Sequence, residues 1–273
     1  MQAMKLYFRS LDLLAPGQAA KKVYHFMSNP QVRKLRDHEE AILDRSEKRI
    51  VPFNGFDLQT YRWGNPAHPT VLLVHGWEGQ AGNFGALIDI LLEKNYYVVA
   101  YDAPAHGHSS KGRTSMFASA KFLKSFVQEI QPKVLISHSF GGPTTGLALQ
   151  ENQDLNIEKW IMVTTPNRFQ DRMGQLKTFL GLSDRTMSRL YPKIKSDTSF
   201  ELGELSMLHF SKTIKNVKDI LIVHSKSDKI LPIEWARQAN EVLPNSSMIE
   251  LDGLGHYGIL WSEALKNIIK EQL

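Results

Sequence analysis

The sequence predicts an α/β protein with a mostly parallel central sheet and helices on both faces. Three observations carry that reading. From Ile50 onward short apolar runs alternate with longer amphipathic stretches, the runs are rich in Val, Ile, Leu and aromatics, and Pro132, Pro143 and Pro244 fall at boundaries or first turns. Strands are expected at Leu58 to Trp63, Thr70 to His75, Tyr97 to Tyr101, Lys133 to Ser137, Trp160 to Thr164, Ile220 to His224 and Met248 to Leu251. Helical apolar spacing places helices at Phe84 to Lys94, Ser115 to Ile130, Phe140 to Leu149, Ile233 to Val242 and Leu260 to Ile269.

One interval breaks the alternation. About fifty residues between Thr165 and Asp219 contain no strand-like run. Met173, Leu176, Phe179 and Leu180 are spaced for one helical face, Ser183 is placed to cap a second segment through Tyr191, and Leu202, Leu205, Leu208 and His209 suggest a third. The first fifty residues also read as helical, with Ala19, Val23, Phe26 and Met27 forming a stripe suited to packing on the parent domain. The expected organisation is a helical extension over 1–49, a core over 50–165 and 214–273, and a helical cap inserted over 166–213.

Composition narrows the function classes. The chain has 273 residues, 42 % hydrophobic and 22 % charged, which suits a globular protein and excludes a disordered or fibrous one. Its longest apolar runs, such as Val71 to Val74 and Tyr96 to Tyr101, are far short of the ~20 residues of a membrane span, and charges interrupt Met1 to Ala20. A soluble, cytoplasmic protein without stable membrane insertion is expected. With no cysteine there is no disulfide and no thiolate, which fits a reducing compartment, and any nucleophile must be oxygen or nitrogen. The net charge of +5 is concentrated in residues 1–50, with 10 Lys/Arg against 6 Asp/Glu, and in residues 166–215, with 9 against 5. Neither segment holds a run of five like charges or a groove-reading motif, so no nucleic-acid partner is expected.

The segment Val134-Leu135-Ile136-Ser137-His138-Ser139-Phe140-Gly141-Gly142 runs an apolar strand into a small-X-Ser-X-Gly turn and then a helix. That is the context of a nucleophile elbow. A serine at the tip of so sharp a turn sits in strained backbone, so its neighbours two before and two after must be small, and the helix N-terminus behind it favours developing negative charge. Ser137 stands at the first small position, where glycine is usual.

From these residues the chain resembles the α/β-hydrolase superfamily, and the resemblance extends from about Ile50 to the C-terminus. Val71-Leu72-Leu73-Val74-His75-Gly76-Trp77 is similar to the strand and H-G-X turn that supply an oxyanion donor, and Asp102-Ala103-Pro104-Ala105-His106-Gly107-His108-Ser109 to the loop after the next strand. Ser225-Lys226-Ser227-Asp228 resembles the acid-bearing loop and Gly255-His256-Tyr257 the histidine loop. The resemblance implies a nucleophile Ser139, an acid Asp228 and a base His256, in the order the superfamily uses, with oxyanion donors on the backbone of Phe140 and Trp77. No metal or cofactor is implied.

Alternatives remain at several positions. Asp252 competes with Asp228 as the acid, although Asp252-Gly253 also reads as a turn after a strand. His106 and His108 form a possible metal pair without an evident third ligand. Gly76, Gly79, Gly82 and Gly85 recur every third residue, but no G-K-[ST] or G-x-G-x-x-G accompanies them, which favours an oxyanion or acyl loop over a nucleotide site. Phe169, Met173, Phe179, Met187, Tyr191 and Met207 read mainly as helix packing, with a minority facing an apolar pocket. The expectation is a serine hydrolase of a small-molecule carboxylic ester or related acyl compound. The alternatives are a thioesterase or acyltransferase using the same residues, or a ligand-binding or sensory module on the same fold.

Overall fold

The computed structural model describes residues 2–31, 35–198 and 201–273. Residues 1, 32–34 and 199–200, which fall in the expected extension and cap, lie outside the described residues. The elements run α1 (Gln2–Leu14), α2 (Pro16–Met27), α3 (Asp37–Asp44), β1 (Glu47–Phe53), β2 (Phe56–Trp63), β3 (Thr70–Val74), α4 (Gly85–Glu93), β4 (Tyr97–Tyr101) and α5 (Met116–Ile130). They continue with β5 (Val134–His138), α6 (Gly141–Gln150), β6 (Ile157–Val163), α7 (Phe169–Leu180), α8 (Asp184–Thr198), α9 (Met207–Thr213), β7 (Val217–Ser225), α10 (Ile233–Val242), β8 (Ser246–Leu251) and α11 (Glu263–Gln272).

The eight strands form one sheet in the order β1-β2-β4-β3-β5-β6-β7-β8. β1 pairs antiparallel with β2, and β2 with β4; every other pairing is parallel. Central strands are apolar at successive positions because both faces are covered. Leu72, Val74, Leu135, Trp160, Met162, Ile220 and Ile222 enter the core under α5 and α6, while Val71, Leu73, Val134, Ile136, Ile161 and Val163 enter the core shared with α4 and α11.

The seven expected strands are all present, with ends shifted by at most a few residues. β1 is an eighth. Its Glu47-Lys48-Arg49 start is exposed and charged, and Pro52 interrupts the short apolar end Ile50 to Phe53, as befits an edge strand. The usable signal was the two-residue turn Asn54-Gly55, whose positive φ values of 46° and 80° close a tight hairpin onto β2.

Three α-helices, α7 to α9, occupy the interval between β6 and β7. Met173 and Leu180 are buried and Leu176 is half-buried, whereas Phe179, rotated off that stripe, is exposed. Ser183 precedes α8, and its hydroxyl donates to Asp12 of α1 at 2.9 Å. The stripe on α2 packs within the chain, chiefly against α8 rather than the sheet; Thr186 Oγ1 also donates to the Pro16 carbonyl at 3.3 Å. Among the described residues no helix is long and apolar enough to cross a membrane.

Candidate active site

Ser139 occupies the single residue between the end of β5 and Phe140, which caps α6, and its φ is +52°. Left-handed backbone at a non-glycine residue is strained by about 1–3 kcal/mol, and the surroundings hold it there. The Ser139 N–H donates to Val163 O at 3.0 Å, and the Gly142 N–H donates to Ser139 O at 3.0 Å. A Cβ at Gly141 would lie 2.2 Å from the Val74 carbonyl oxygen, and one at Gly76 would lie 2.8 Å from Ser139 Cβ. Small residues are therefore required because β3 passes close beside the turn.

The residue two before the serine obeys a different constraint. Ser137 is fully buried and its hydroxyl accepts the indole N–H of Trp160 at 2.8 Å. A hydroxymethyl group fits where glycine is usual because it satisfies the buried Trp160 donor on the neighbouring strand β6.

His256 lies in the loop after β8 and Asp228 in the loop after β7, both buried. His256 Nδ1 is 2.7 Å from Asp228 Oδ2, and His256 Nε2 is 2.9 Å from Ser139 Oγ. An ionised carboxylate only accepts, so Nδ1 carries the proton and Nε2 presents its lone pair to the serine hydroxyl. Burial by itself would raise the Asp228 carboxyl; the hydrogen bond and charge of His256, with the Ile230 and Leu231 N–H donors, outweigh it and hold the group below the usual carboxylate range. Those two N–H groups meet Oδ1 at 2.7 and 3.0 Å, leaving Oδ2 for the imidazole.

Two further histidines hold these loops. His138 Nε2 donates to the His256 carbonyl at 2.9 Å, and His224 Nε2 donates to the Leu231 carbonyl at 3.0 Å. Burial pushes the His138 imidazole down to about 3 and lowers that of His224, so both are neutral. His75 is also buried and pushed down to about 4; its Nδ1 donates to Gly76 O at 2.7 Å and its Nε2 accepts the Ala103 N–H at 2.9 Å. These contacts give His75, His138 and His224 hydrogen-bonding roles around the site; nothing in the sequence singles out His224.

A cavity of about 200 Å³ adjoins the turn, with Trp77 and Phe140 in its wall. The Gly76 Cα lies beside the elbow, since a Cβ there would sit 3.3 Å from the Phe140 nitrogen. Among the described residues, the N–H groups of Trp77 and Phe140 donate to no protein acceptor. The remaining wall is mainly apolar and comes from α2, α5, α7 and α8, including Phe26, Met27, Phe117, Phe169 and Met173. The contribution of α2 had no local sequence signal.

Other candidates resolve differently. Asp252 is exposed and pairs with Lys226 at 3.2 Å, away from His256 Nδ1. His106 Nδ1 donates to Pro104 O at 2.9 Å, whereas His108 Nδ1 meets the Tyr61 hydroxyl at 2.8 Å and its Nε2 lies 3.3 Å from Glu40, so the pair faces different neighbours. Among the described residues no group of three or more His, Asp or Glu side chains could hold a metal ion. Of the recurring glycines, Gly76 abuts the elbow, while Gly82 packs on Glu39 and Gly85 on Trp261.

Comparison with known proteins agrees with this architecture. Residues 65–208 match the family described as serine aminopeptidase, S33, and residues 207–273 the one described as TAP-like protein. The chain is 25 % identical over 249 residues to the uncharacterized hydrolase YugF of Bacillus subtilis (strain 168), covering 76 % of this chain and 90 % of that one. It is 34 % identical over 128 residues to a human serine hydrolase-like protein, covering 43 % of this chain and 61 % of its relative. Among solved structures, an esterase of Pyrococcus furiosus superposes with a TM-score of 0.64 at 20 % identity, covering 90 % and 94 % of the two chains. The thioesterase domain from the curacin biosynthetic pathway gives 0.61 at 20 % identity, covering 82 % and 99 %. The matched family model spans just over half of the sequence, and the chain belongs to the serine aminopeptidase S33 family of the α/β-hydrolase superfamily.

Proposed function

We propose that the chain hydrolyses a carboxylic ester or related acyl compound through Ser139, His256 and Asp228. The observation that carries this reading is the unbroken hydrogen-bond chain of 2.9 and 2.7 Å linking the three side chains. Ser139 Oγ attacks the acyl carbonyl carbon while His256 Nε2 takes its proton, and Asp228 stabilises the imidazolium that forms. The Trp77 and Phe140 N–H groups hold the oxyanion, reinforced by the α6 N-terminus. Collapse expels the leaving alcohol, which takes the proton from His256. Water then attacks the acyl-enzyme with His256 again as base, releasing the acid and restoring the serine.

In this reading residues 166–213 act as a cap over the cavity, and the extension over 1–49 completes its wall through α2. The apolar lining suits an acyl chain. A cytoplasmic location, expected from the cysteine-free sequence, belongs to the same proposal.

The test is a panel of p-nitrophenyl esters and acyl thioesters of graded length, with Ser139→Ala as control. Turnover by the wild type, absent from the variant, supports the proposal, and the preferred leaving group separates esterase from thioesterase. Tight ligand binding without turnover of any member would make the chain a binding module instead.

A further inference from the structure

Arg172 on α7 brings a cation to the cavity wall beside the proposed nucleophile. Its guanidinium sits 5.7 Å from the centre of the Phe140 ring, and Phe140 directly follows Ser139. Nη1 donates to the Ile230 carbonyl at 3.3 Å, in the loop that carries Asp228, and to Gln175 Oε1. Nε is buried and has no acceptor. No carboxylate among the described residues forms an ion pair with it. The Tyr257 phenol and, after it, Asp228 act on it electrostatically without a hydrogen bond, and the cavity's other charged residue, Glu78, receives the Gln31 N–H at 2.9 Å.

A half-buried guanidinium normally acquires an anionic partner, because burial disfavours an uncompensated charge and its planar donors match a carboxylate or phosphate. Here the protein supplies two neutral oxygens and an aromatic face but no carboxylate, in a cavity otherwise lined mainly by apolar side chains. Nη2 has no acceptor among the described residues and, unlike Nε, is not sealed from solvent, so a molecule bound in the cavity can reach it. We propose that Arg172 selects substrates bearing an anionic group, a carboxylate or phosphate, within reach of the guanidinium. The inference rests on the hydrolase reading for the identity of the bound molecule as an ester. A wholly structural Arg172, tying α7 to the acid loop through Ile230, has no reason to distinguish charged from neutral ligands.

The experiment measures binding to Ser139→Ala chain, which preserves the cavity and prevents turnover. Two matched pairs place the charge on opposite sides of the ester: monoethyl glutarate against the ethyl ester of glutaramic acid, and the valeryl ester of 4-hydroxybenzoate against that of 4-hydroxybenzamide. The carboxylate member of one pair is expected to bind about 10- to 100-fold tighter than its amide at low ionic strength. That pair identifies the acyl or the leaving-group side. Adding Arg172→Gln brings the ratio to near one, whereas Arg172→Lys retains part of it. Equal affinities in both pairs, measured in the Ser139→Ala chain alone, overturn the proposal, as does a preference that survives Arg172→Gln. Wild-type turnover is read separately. Carboxylate-selective binding without turnover removes the hydrolase reading and leaves this one, and turnover without carboxylate selectivity does the reverse.

Discussion

The Ser137 hydroxyl accepts the indole N–H of Trp160 at 2.8 Å, joining the residue two before the proposed nucleophile to the adjacent strand. Trp160 is wholly buried, so its donor has no route to water. Ser137→Ala leaves that N–H without its acceptor and is expected to destabilise the chain by about 1–3 kcal/mol, read as a lower urea midpoint. An unchanged midpoint would mean that the indole finds another acceptor.

Gly141 is fixed by close approach. Its Cβ in an alanine variant would lie 2.2 Å from Val74 O and 2.9 Å from His75 O, both backbone atoms that cannot rotate aside. Gly141→Ala is expected to lose about 1–3 kcal/mol of stability and to displace the serine turn, cutting the proposed hydrolytic turnover more than the stability change alone explains. Thermal unfolding and kcat measured together check this, and a stable, fully active variant would contradict it.

The two aspartates near His256 make opposite forecasts. Asp228→Asn keeps the shape of the side chain but removes the acceptor that fixes the imidazole tautomer, and kcat should fall by up to about 10⁴-fold. Asp252→Asn removes only an exposed partner of Lys226 and should leave kcat unchanged. Parallel assays of both variants decide between them.

Acid stability follows from the buried neutral histidines. His75 and His138 are pushed down to about 4 and about 3, whereas an unfolded histidine titrates near 6.5. Between those values the unfolded chain binds protons that the folded chain does not. Stability therefore falls as pH drops below about 6.5, by up to about 1.4 kcal/mol per pH unit for each group, while neither contributes slope above it. His138→Gln retains an N–H donor for the His256 carbonyl and cannot titrate. Urea unfolding from pH 6 to about 4 should show a slope shallower by about one proton than in wild type, and an equal slope would exclude His138 as a source.

The central strands and the elbow were legible because parallel strands buried on both faces must be apolar throughout, and because a strained serine turn admits few residue types. The Ser139, Asp228 and His256 loops could be ordered along the chain for the same reason: each follows a recognisable strand. β1 was hidden because an edge strand stays half in water and needs no apolar run. The packing of α2 against α8 and the arrival of Arg172 beside Phe140 were hidden for a different reason. Each joins segments more than thirty positions apart in sequence, and no local spacing reports which face a distant helix meets.

Ser139, His256 and Asp228 acting as one unit is the claim on which the functional account stands, and covalent capture of the serine tests it most directly. Wild-type protein treated with a fluorophosphonate and digested should carry a single phosphonyl adduct on the peptide containing Ser139, with ester turnover lost in step with labelling. His256→Ala should label far more slowly, since the hydroxyl then has no base. An adduct at another residue, or undiminished labelling and turnover in Ser139→Ala, would contradict the account.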